Sequence, residues 1–357
     1  MKIGIDGLAL QGNLAGVGNY FLGVIESLYK EIPNAEMIVF THRPISCLTN
    51  MERIKIVEDK PVFGRMKNVL WCKLFAWRLI KKNKIDFYFS ANGFLPILPR
   101  KVKTIAIIHD LNYKLVPNTM SFFHHIAAVL FFKWDVNKLD YIITNTHATA
   151  KKIADFLHKD VNLILTPKID VNFKRRNALE IRTNLEKFGI NYPYFLSVAT
   201  QEPRKNIDKS ICAFVSVKKE GYLPDYKLLL VGGKGWKNKH IERLLIENEK
   251  DIKRLGYINK EFLPYLYNGA EAFLFPSIYE GFGIPVREAI ASGCKVIASD
   301  IEELREIGND NVYYINPKDE NEYKEALKNI IHRENVSFDS FRAHDSIVLL
   351  CSFINNN

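Results

Sequence analysis

Short apolar runs that read as strands alternate with helix-patterned segments along nearly the whole chain, in two successive series. The first series holds Ile3–Asp6, Glu36–Thr41, Ile85–Ser90, Lys103–His109 and Tyr141–Thr144, with helical patterns at 17–30 and 148–157. The second holds Tyr194–Val198, Lys227–Val231, Ala272–Phe275, Lys295–Ala298 and Val312–Ile315, with helical patterns at 206–219, 239–248, 262–268, 285–291 and 320–332. Continuous apolar strands separated by helices predict parallel sheets with helices on both faces. Two series predict two doubly wound α/β domains, residues 1–170 and 171–357, facing a cleft. Pro167, the Lys174-Arg175-Arg176 cluster and Asn191-Tyr192-Pro193 mark the junction.

The 357 residues suit two domains, each long enough for its own core. Hydrophobic residues at 47% and charged residues at 25% exclude a disordered or fibrous chain. No two of the five cysteines form a Cys-x-x-Cys pair, so they read as free thiols of a reducing compartment. Asp6 interrupts the first apolar run, which marks a strand rather than a signal peptide. The apolar run from Phe122 to Phe132 is far shorter than the ~20 residues of a membrane span. A cytoplasmic location follows as the expectation.

Net charge is +10, and it is unevenly spread. Residues 1–170 hold 23 Lys and Arg against 14 Asp and Glu, while the remainder holds 27 against 26. A basic first half suits a phosphate-bearing substrate, an anionic membrane or nucleic acid, and equally a merely soluble surface. The basic residues are dispersed and no nucleic-acid module is recognisable, so nucleic acid is not expected. Lys81-Lys82-Asn83-Lys84 and Arg100-Lys101-Val102-Lys103, with the aromatic stretch from Trp71 to Trp77, form a candidate peripheral membrane patch. The alternative for the aromatic stretch is a core-packing helix.

Ligands of open parallel sheets bind beyond the carboxyl ends of strands. Four segments fall there. Gly12 to Gly18, with Gly16-Val17-Gly18 ahead of a helix, can let a ligand approach backbone amides closely. His109-Asp110 ends a strand, where a histidine can hydrogen-bond or move a proton. Glu202-Pro203-Arg204-Lys205-Asn206 places two cations at a strand-to-helix junction, which suits a diphosphate. The sharpest is the run from Pro276 to Ala289. Gly281 and Gly283 free the backbone, Pro285 suits a helix start, and Glu288 is expected in the first helical turn. Glu280 lies in the loop before it. Both acids can take hydrogen bonds from a polyhydroxy ligand.

Glu280 and Glu288, with seven residues between them, resemble the donor-site motif of the family 4 retaining glycosyltransferases. Ala289-x-x-x-Gly293, the strand Lys295–Ala298 and Ser299-Asp300 fit the same pattern. Glu202 to Asn206 resembles the family's phosphate-binding loop. Leu255-Gly256-Tyr257-Ile258 resembles its segment near the nucleotide base. Gly16-Val17-Gly18-Asn19-Tyr20 resembles its N-terminal glycine loop, and His109-Asp110 its strand-end histidine. The likeness runs in order over residues 1–330.

The resemblance implies a GT-B fold, with a nucleotide-sugar donor in the C-terminal domain and the acceptor in the N-terminal one. It implies no cofactor and no metal. It casts Glu280 as the carboxylate at the donor sugar and His109 as its neighbour. Glu288 would hold the ribose, and Tyr257 and Ile258 the base. Arg204 and Lys205 would neutralise the diphosphate, helped by Gly16, Gly18, Gly281 and the amides of Phe282 and Gly283. Transfer would retain the anomeric configuration through an oxocarbenium-like front-face transition state.

Three places depart from the family pattern. Ala199-Thr200 replaces the usual Gly-Arg pair, Pro167-Lys168-Ile169-Asp170 replaces Asn-Gly-Val-Asp, and the closing helix is matched weakly by the segment from Ser337 to Phe353. The polar end at Asn355-Asn356-Asn357 is expected to fray. The Glu-Pro-Arg-Lys-Asn form is most similar to mannosyltransferases of bacterial O-antigen and capsule assembly. That implies GDP-mannose as donor, a lipid-linked or polysaccharide acceptor, and a peripheral position on the inner membrane face. A nucleotide-sugar epimerase of the same architecture, or a non-catalytic nucleotide-sugar-binding protein, would keep the same motifs. A nicotinamide dehydrogenase is disfavoured by the lack of Gly-x-Gly-x-x-Gly directly after a strand.

Overall fold

The computed structural model describes residues 1–12, 14, 16–49, 51–59, 68–333 and 347–356. Thirteen strands among them lie in two sheets, both wholly parallel. The first sheet is built from β1 (Lys2–Asp6), β2 (Glu36–Thr41), β3 (Ile54–Glu58), β4 (Phe87–Ser90), β5 (Lys103–Ile108), β6 (Tyr141–Thr144) and β7 (Leu163–Ile164). Its order is β3-β2-β1-β4-β5-β6-β7. The second is built from β8 (Tyr194–Val198), β9 (Lys227–Val231), β10 (Ile252–Gly256), β11 (Ala272–Phe275), β12 (Lys295–Ser299) and β13 (Val312–Ile315), in the order β10-β9-β8-β11-β12-β13.

Each sheet therefore starts in its middle, grows to one side, then returns to grow to the other. The reversal falls between β1 and β4 in the first sheet and between β8 and β11 in the second. At such a point the loops leaving neighbouring strands diverge and open a crevice at the carboxyl edge.

The chain divides into two compact units. One holds residues 1–113 and 122–168 with the helix Ile347–Asn356; the other holds residues 169–333 with 114–121. In the first unit, Phe21, Val24, Ile25 and Leu28 of the helix Gly16–Glu31 pack on Ile3, Ile5 and Phe89. In the second unit the two faces of the sheet carry separate apolar clusters. One centres on Phe273, Phe275 and Val286, the other on Phe214, Leu228 and Tyr323. Local caps set the helix starts. Thr146 accepts from the Thr149 amide, Asn177 from Glu180, and Asp319 from Asn321 and Glu322.

Several elements differ from the sequence expectation. β3, β7 and β10 were not anticipated, nor was the helix Ala178–Glu186 within the expected junction. Gly16, Val17 and Gly18 begin the first helix rather than precede it, and Asn13 and Ala15 of that loop lie outside the described residues. The C-terminal segment does not fray over its described part. Ile347–Asn356 is a helix with Leu350, Cys351 and Ile354 buried, and Phe353 stacks on Tyr141 at 4.0 Å and meets Phe87 at 6.4 Å. Residues 337–346 and Asn357 of that expectation lie outside the described residues.

Candidate active site

The loop after β8 and the loop after β11 leave the second sheet at its reversal point, and they are bound to each other. The Pro203–Lys205 turn brings its two cations onto the β11 loop. Lys205 Nζ lies 2.6 Å from Glu280 Oε1, and Arg204 Nη1 lies 2.9 Å from Glu280 Oε2. Arg204 also donates through Nη1 to the Tyr279 carbonyl at 2.9 Å and through Nη2 to Glu202 Oε1 at 2.9 Å. The Ile278 amide donates to the Arg204 carbonyl, and Asn206 donates through its amide to the carbonyls of Pro276 and Pro317. Lys205 Nζ sits 5.0 Å above the Phe275 ring. Asn206 takes a left-handed backbone (φ 54°), closing the turn and starting the helix Ile207–Lys219.

Glu280 and Glu202 are buried. Burial alone would raise the Glu280 carboxyl. The adjacent Arg204 and Lys205 more than offset this and hold it down at about 2, against an ordinary 4.5. Burial lowers the Lys205 ammonium, and Glu280 resists that shift. The four side chains thus form a balanced set of two cations and two anions. A negatively charged ligand arriving here meets cations already engaged by carboxylates.

Gly283 has φ 96° and starts the helix Ile284–Ala291; a Cβ there would lie 2.5 Å from Leu304 Cδ2. Phe282 is buried in the core, so only its backbone can face a ligand. The amides of Phe282 and Gly283 donate to no described residue. Glu288 is the fifth residue of this helix and lies beyond its first turn, a correction to the sequence expectation: the helix begins at Ile284, one residue before Pro285, and no acid occupies the first turn. Its carboxylate accepts from the Tyr267 hydroxyl at 3.2 Å. Burial pushes Glu288 up to about 7; nearby Lys260 and the Tyr267 bond oppose the rise, and Asp170 adds to it. Lys260 pairs with Asp170 at 3.1 Å. Tyr257 is exposed just beyond β10, after a Gly256 turn at φ 73°, while Ile258 packs partly on the core.

Of the residues marked in the sequence, Arg204, Lys205 and Glu280 are brought into direct contact. Glu288, Tyr257, Ile258, Gly281, Phe282 and Gly283 share their unit. His109, Gly16 and Gly18 belong to the other unit. There His109 follows β5, with Nδ1 2.8 Å from Asn145 Oδ1 and Nε2 2.9 Å from the Ala91 carbonyl. Tyr20 meets its ring edge-on at 5.5 Å and donates to the Leu165 carbonyl. Burial lowers the His109 pKa, against the pull of Asn145 and Asp110. Both ring nitrogens lie within hydrogen-bond distance of protein oxygens, of which a neutral ring donates to one at a time, so in this arrangement the imidazole braces the strand ends. At Gly18 a Cβ would lie 2.5 Å from the Ala9 carbonyl, whereas Gly16 faces open space.

Tyr267, Lys260 and Asp170, which surround Glu288, escaped the sequence reading. Tyr267 and Lys260 stand outside the motif, and Asp170 registers there only as part of the junction. Asn145 and Ala91, the partners of His109, carry no sequence signal at all.

Residues 180–340 match the family described as Glycosyl transferases group 1. The chain is 27% identical over 328 residues to the O-antigen chain mannosyltransferase B of Escherichia coli, covering 86% of this chain and 84% of that one. It is also 28% identical over 281 residues to the O-antigen chain mannosyltransferase RfbU of Salmonella typhimurium, covering 77% and 74% of the two chains. The sucrose-phosphate synthase of Thermosynechococcus elongatus has the same fold, with a TM-score of 0.74 at 18% identity over 93% of this chain and 90% of that one. The architecture is GT-B, and the protein is a glycosyltransferase.

Proposed function

We propose that this glycosyltransferase moves mannose from GDP-mannose to a lipid-linked or polysaccharide acceptor in surface glycan synthesis, with retention, without a metal, and at the inner face of the membrane. The likeness to two O-antigen chain mannosyltransferases supports the sugar and the setting. The observation that carries the chemistry is the buried Glu280 carboxylate clamped by Arg204 and Lys205 at the sheet reversal.

In this reading a donor diphosphate takes over the Arg204 and Lys205 hydrogen bonds. That frees Glu280 to accept from sugar hydroxyls. As the bond from the anomeric carbon to the diphosphate oxygen lengthens, the cations stabilise the growing negative charge on that oxygen. Fixed charges in a water-poor site are the largest source of such stabilisation. The ionised Glu280 stabilises the positive charge left on the sugar. The acceptor hydroxyl attacks from the face the diphosphate leaves, and its proton passes to the departing phosphate oxygen. Glu288 receives the ribose hydroxyls, and the unengaged amides of Phe282 and Gly283 face the phosphates.

Thermal unfolding with GDP, UDP, ADP and CMP, each with and without EDTA, tests the donor. A nucleotide at about 100 times its dissociation constant adds about 2.7 kcal/mol, a visible shift in midpoint. The expected result is a shift with GDP that EDTA does not alter. A shift with UDP alone removes mannose from the reading. NMR of the product from GDP-mannose and a lipid-linked acceptor then reads the anomeric configuration.

A further inference from the structure

The helical run from Phe122 to Val136 stands on the first unit with an unusual division of its residues. Residues 122–127 are α-helical, 128–132 form a π-helical turn, and 133–136 are α-helical again. Positions 122, 123, 126, 129, 130 and 134 recur at helical spacing and are exposed, although all six are large and apolar. Phe122 is 70% exposed, Leu130 62% and Trp134 57%. Ala128, Phe132, Asp135 and Val136 face inward. The inward side is fixed. A Cβ on Gly93 would lie 2.8 Å from Phe132, and the buried Asp135 accepts from the Leu95 amide and from Lys73.

Lys73 ties in a second apolar element. It belongs to the helix Asn68–Leu74, and its ammonium also lies 5.3 Å from the Phe131 ring and 5.6 Å from that of Trp134. On that helix Trp71 is buried, but Leu70 and Leu74 are exposed. The next helix, Ala76–Asn83, ends in the exposed Lys81 and Lys82. Between residues 68–84 and 122–138 the chain has seven Lys and Arg and a single acid, the buried Asp135. Lys138 covers the Trp134 ring at 3.1 Å, and Lys133 is exposed beside it.

We infer that the face joining the 122–136 helical run to the helix Asn68–Leu74 docks on an anionic lipid bilayer. The inference rests on the membrane part of the function proposed above and is independent of the donor. Exposed Phe, Leu and Trp on one side of a helix, rimmed by lysines, is the arrangement that lies in a bilayer interface. The lysines add attraction to acidic headgroups. Charge argues against a second copy of the chain, because a self-paired interface brings the same lysines against one another with no exposed acid among these residues to meet them. No helix among the described residues is long and apolar enough to cross a membrane, so contact would be on the surface.

The test is co-sedimentation of the full chain with vesicles of phosphatidylethanolamine and phosphatidylglycerol, and with phosphatidylcholine alone. The wild type is expected to pellet with the anionic vesicles, less so as salt rises. F122S/L130S, changed only at exposed positions, should bind at least about tenfold more weakly to them. K133E/K138E should lose binding to anionic vesicles selectively. Thermal melting with and without GDP runs alongside. Unchanged melting in the variants shows that they fold. Vesicle binding without any nucleotide shift would leave docking standing and remove the donor reading. Wild type remaining in the supernatant, or F122S/L130S pelleting like wild type, overturns the inference. So does a lipid-free dimer that F122S/L130S disperses, which would assign the face to a second copy.

Discussion

Glu280 and Glu288 have the same chemistry and opposite surroundings, and pH separates them. Glu280 is held at about 2, below an ordinary 4.5. Its ionised form therefore stabilises the fold above pH ~4.5, and that stability is lost as pH falls towards ~2. E280Q leaves Arg204 and Lys205 with one carboxylate for two partly buried cations. It should cost about 3 kcal/mol at pH 7, measured by denaturant unfolding, and the difference from wild type should close as pH drops below ~4. It should also reduce transfer by a factor on the order of 100. Glu288 runs the other way. Its carboxyl is raised to about 7, so the fold favours the protonated form; stability is full below ~4.5 and declines as pH rises through ~7. E288Q should match wild type at pH 4 and be more stable by about 3 kcal/mol at pH 8, while binding nucleotide more weakly. Equal behaviour at both pH values would show that Glu288 is not held protonated. The two acids and the cations are legible in the sequence as four residues of the loops and helix starts that follow strands. Their pairing is not. Lys205 and Glu280 stand 75 positions apart, and that gap is bridged only once the order of strands is known.

Elements buried on both faces were the ones that announced themselves. β4, β6 and β11 are buried throughout and appear in the sequence as unbroken apolar runs. β3 and β10 are edge strands with charged residues and partial exposure, and β7 is two residues long, so none produces such a run. The helix Ala178–Glu186 buries only Leu185, which explains why it read as linker. Among helix starts, the one at Gly283 is the most constrained. A side chain there faces both a left-handed backbone and Leu304. G283A should lower stability by roughly 1–3 kcal/mol and weaken nucleotide binding with it, measured by thermal melts with and without GDP. G16A, facing open space, should leave stability nearly unchanged in the same assay. The helix Gly16–Glu31 can carry the extra methyl at its first residue.

Across the whole molecule, the two units are not two consecutive lengths of chain. The first recruits the helix Ile347–Asn356, and the second takes residues 114–121. A fragment ending at residue 168 therefore lacks part of its own core. Leu350 and Ile354 would be missing, and Phe87 and Tyr141 would lose the Phe353 ring. Each large buried side chain is worth about 1.5–3 kcal/mol, so losing several together removes much of the roughly 5–15 kcal/mol that holds a domain. Fragment 1–168 should fail to show a cooperative melt, and the same fragment joined by a short linker to residues 347–357 should recover one. A cooperative melt from the bare fragment would show that the helix is a passenger.

That late helix also sets the order of events at the ribosome. The amino-terminal unit leaves the exit tunnel first, yet its apolar surface around Tyr141 and Phe87 stays bare until residues beyond 346 emerge. Synthesis is vectorial, and domains generally fold as they appear. Here the half made first is finished last, leaving a long interval in which chaperones can hold it. A chain truncated before residue 347 would hold Arg204, Lys205, Glu280 and Glu288 in place beside a first half that never closes, open to proteolysis at its own unfinished core.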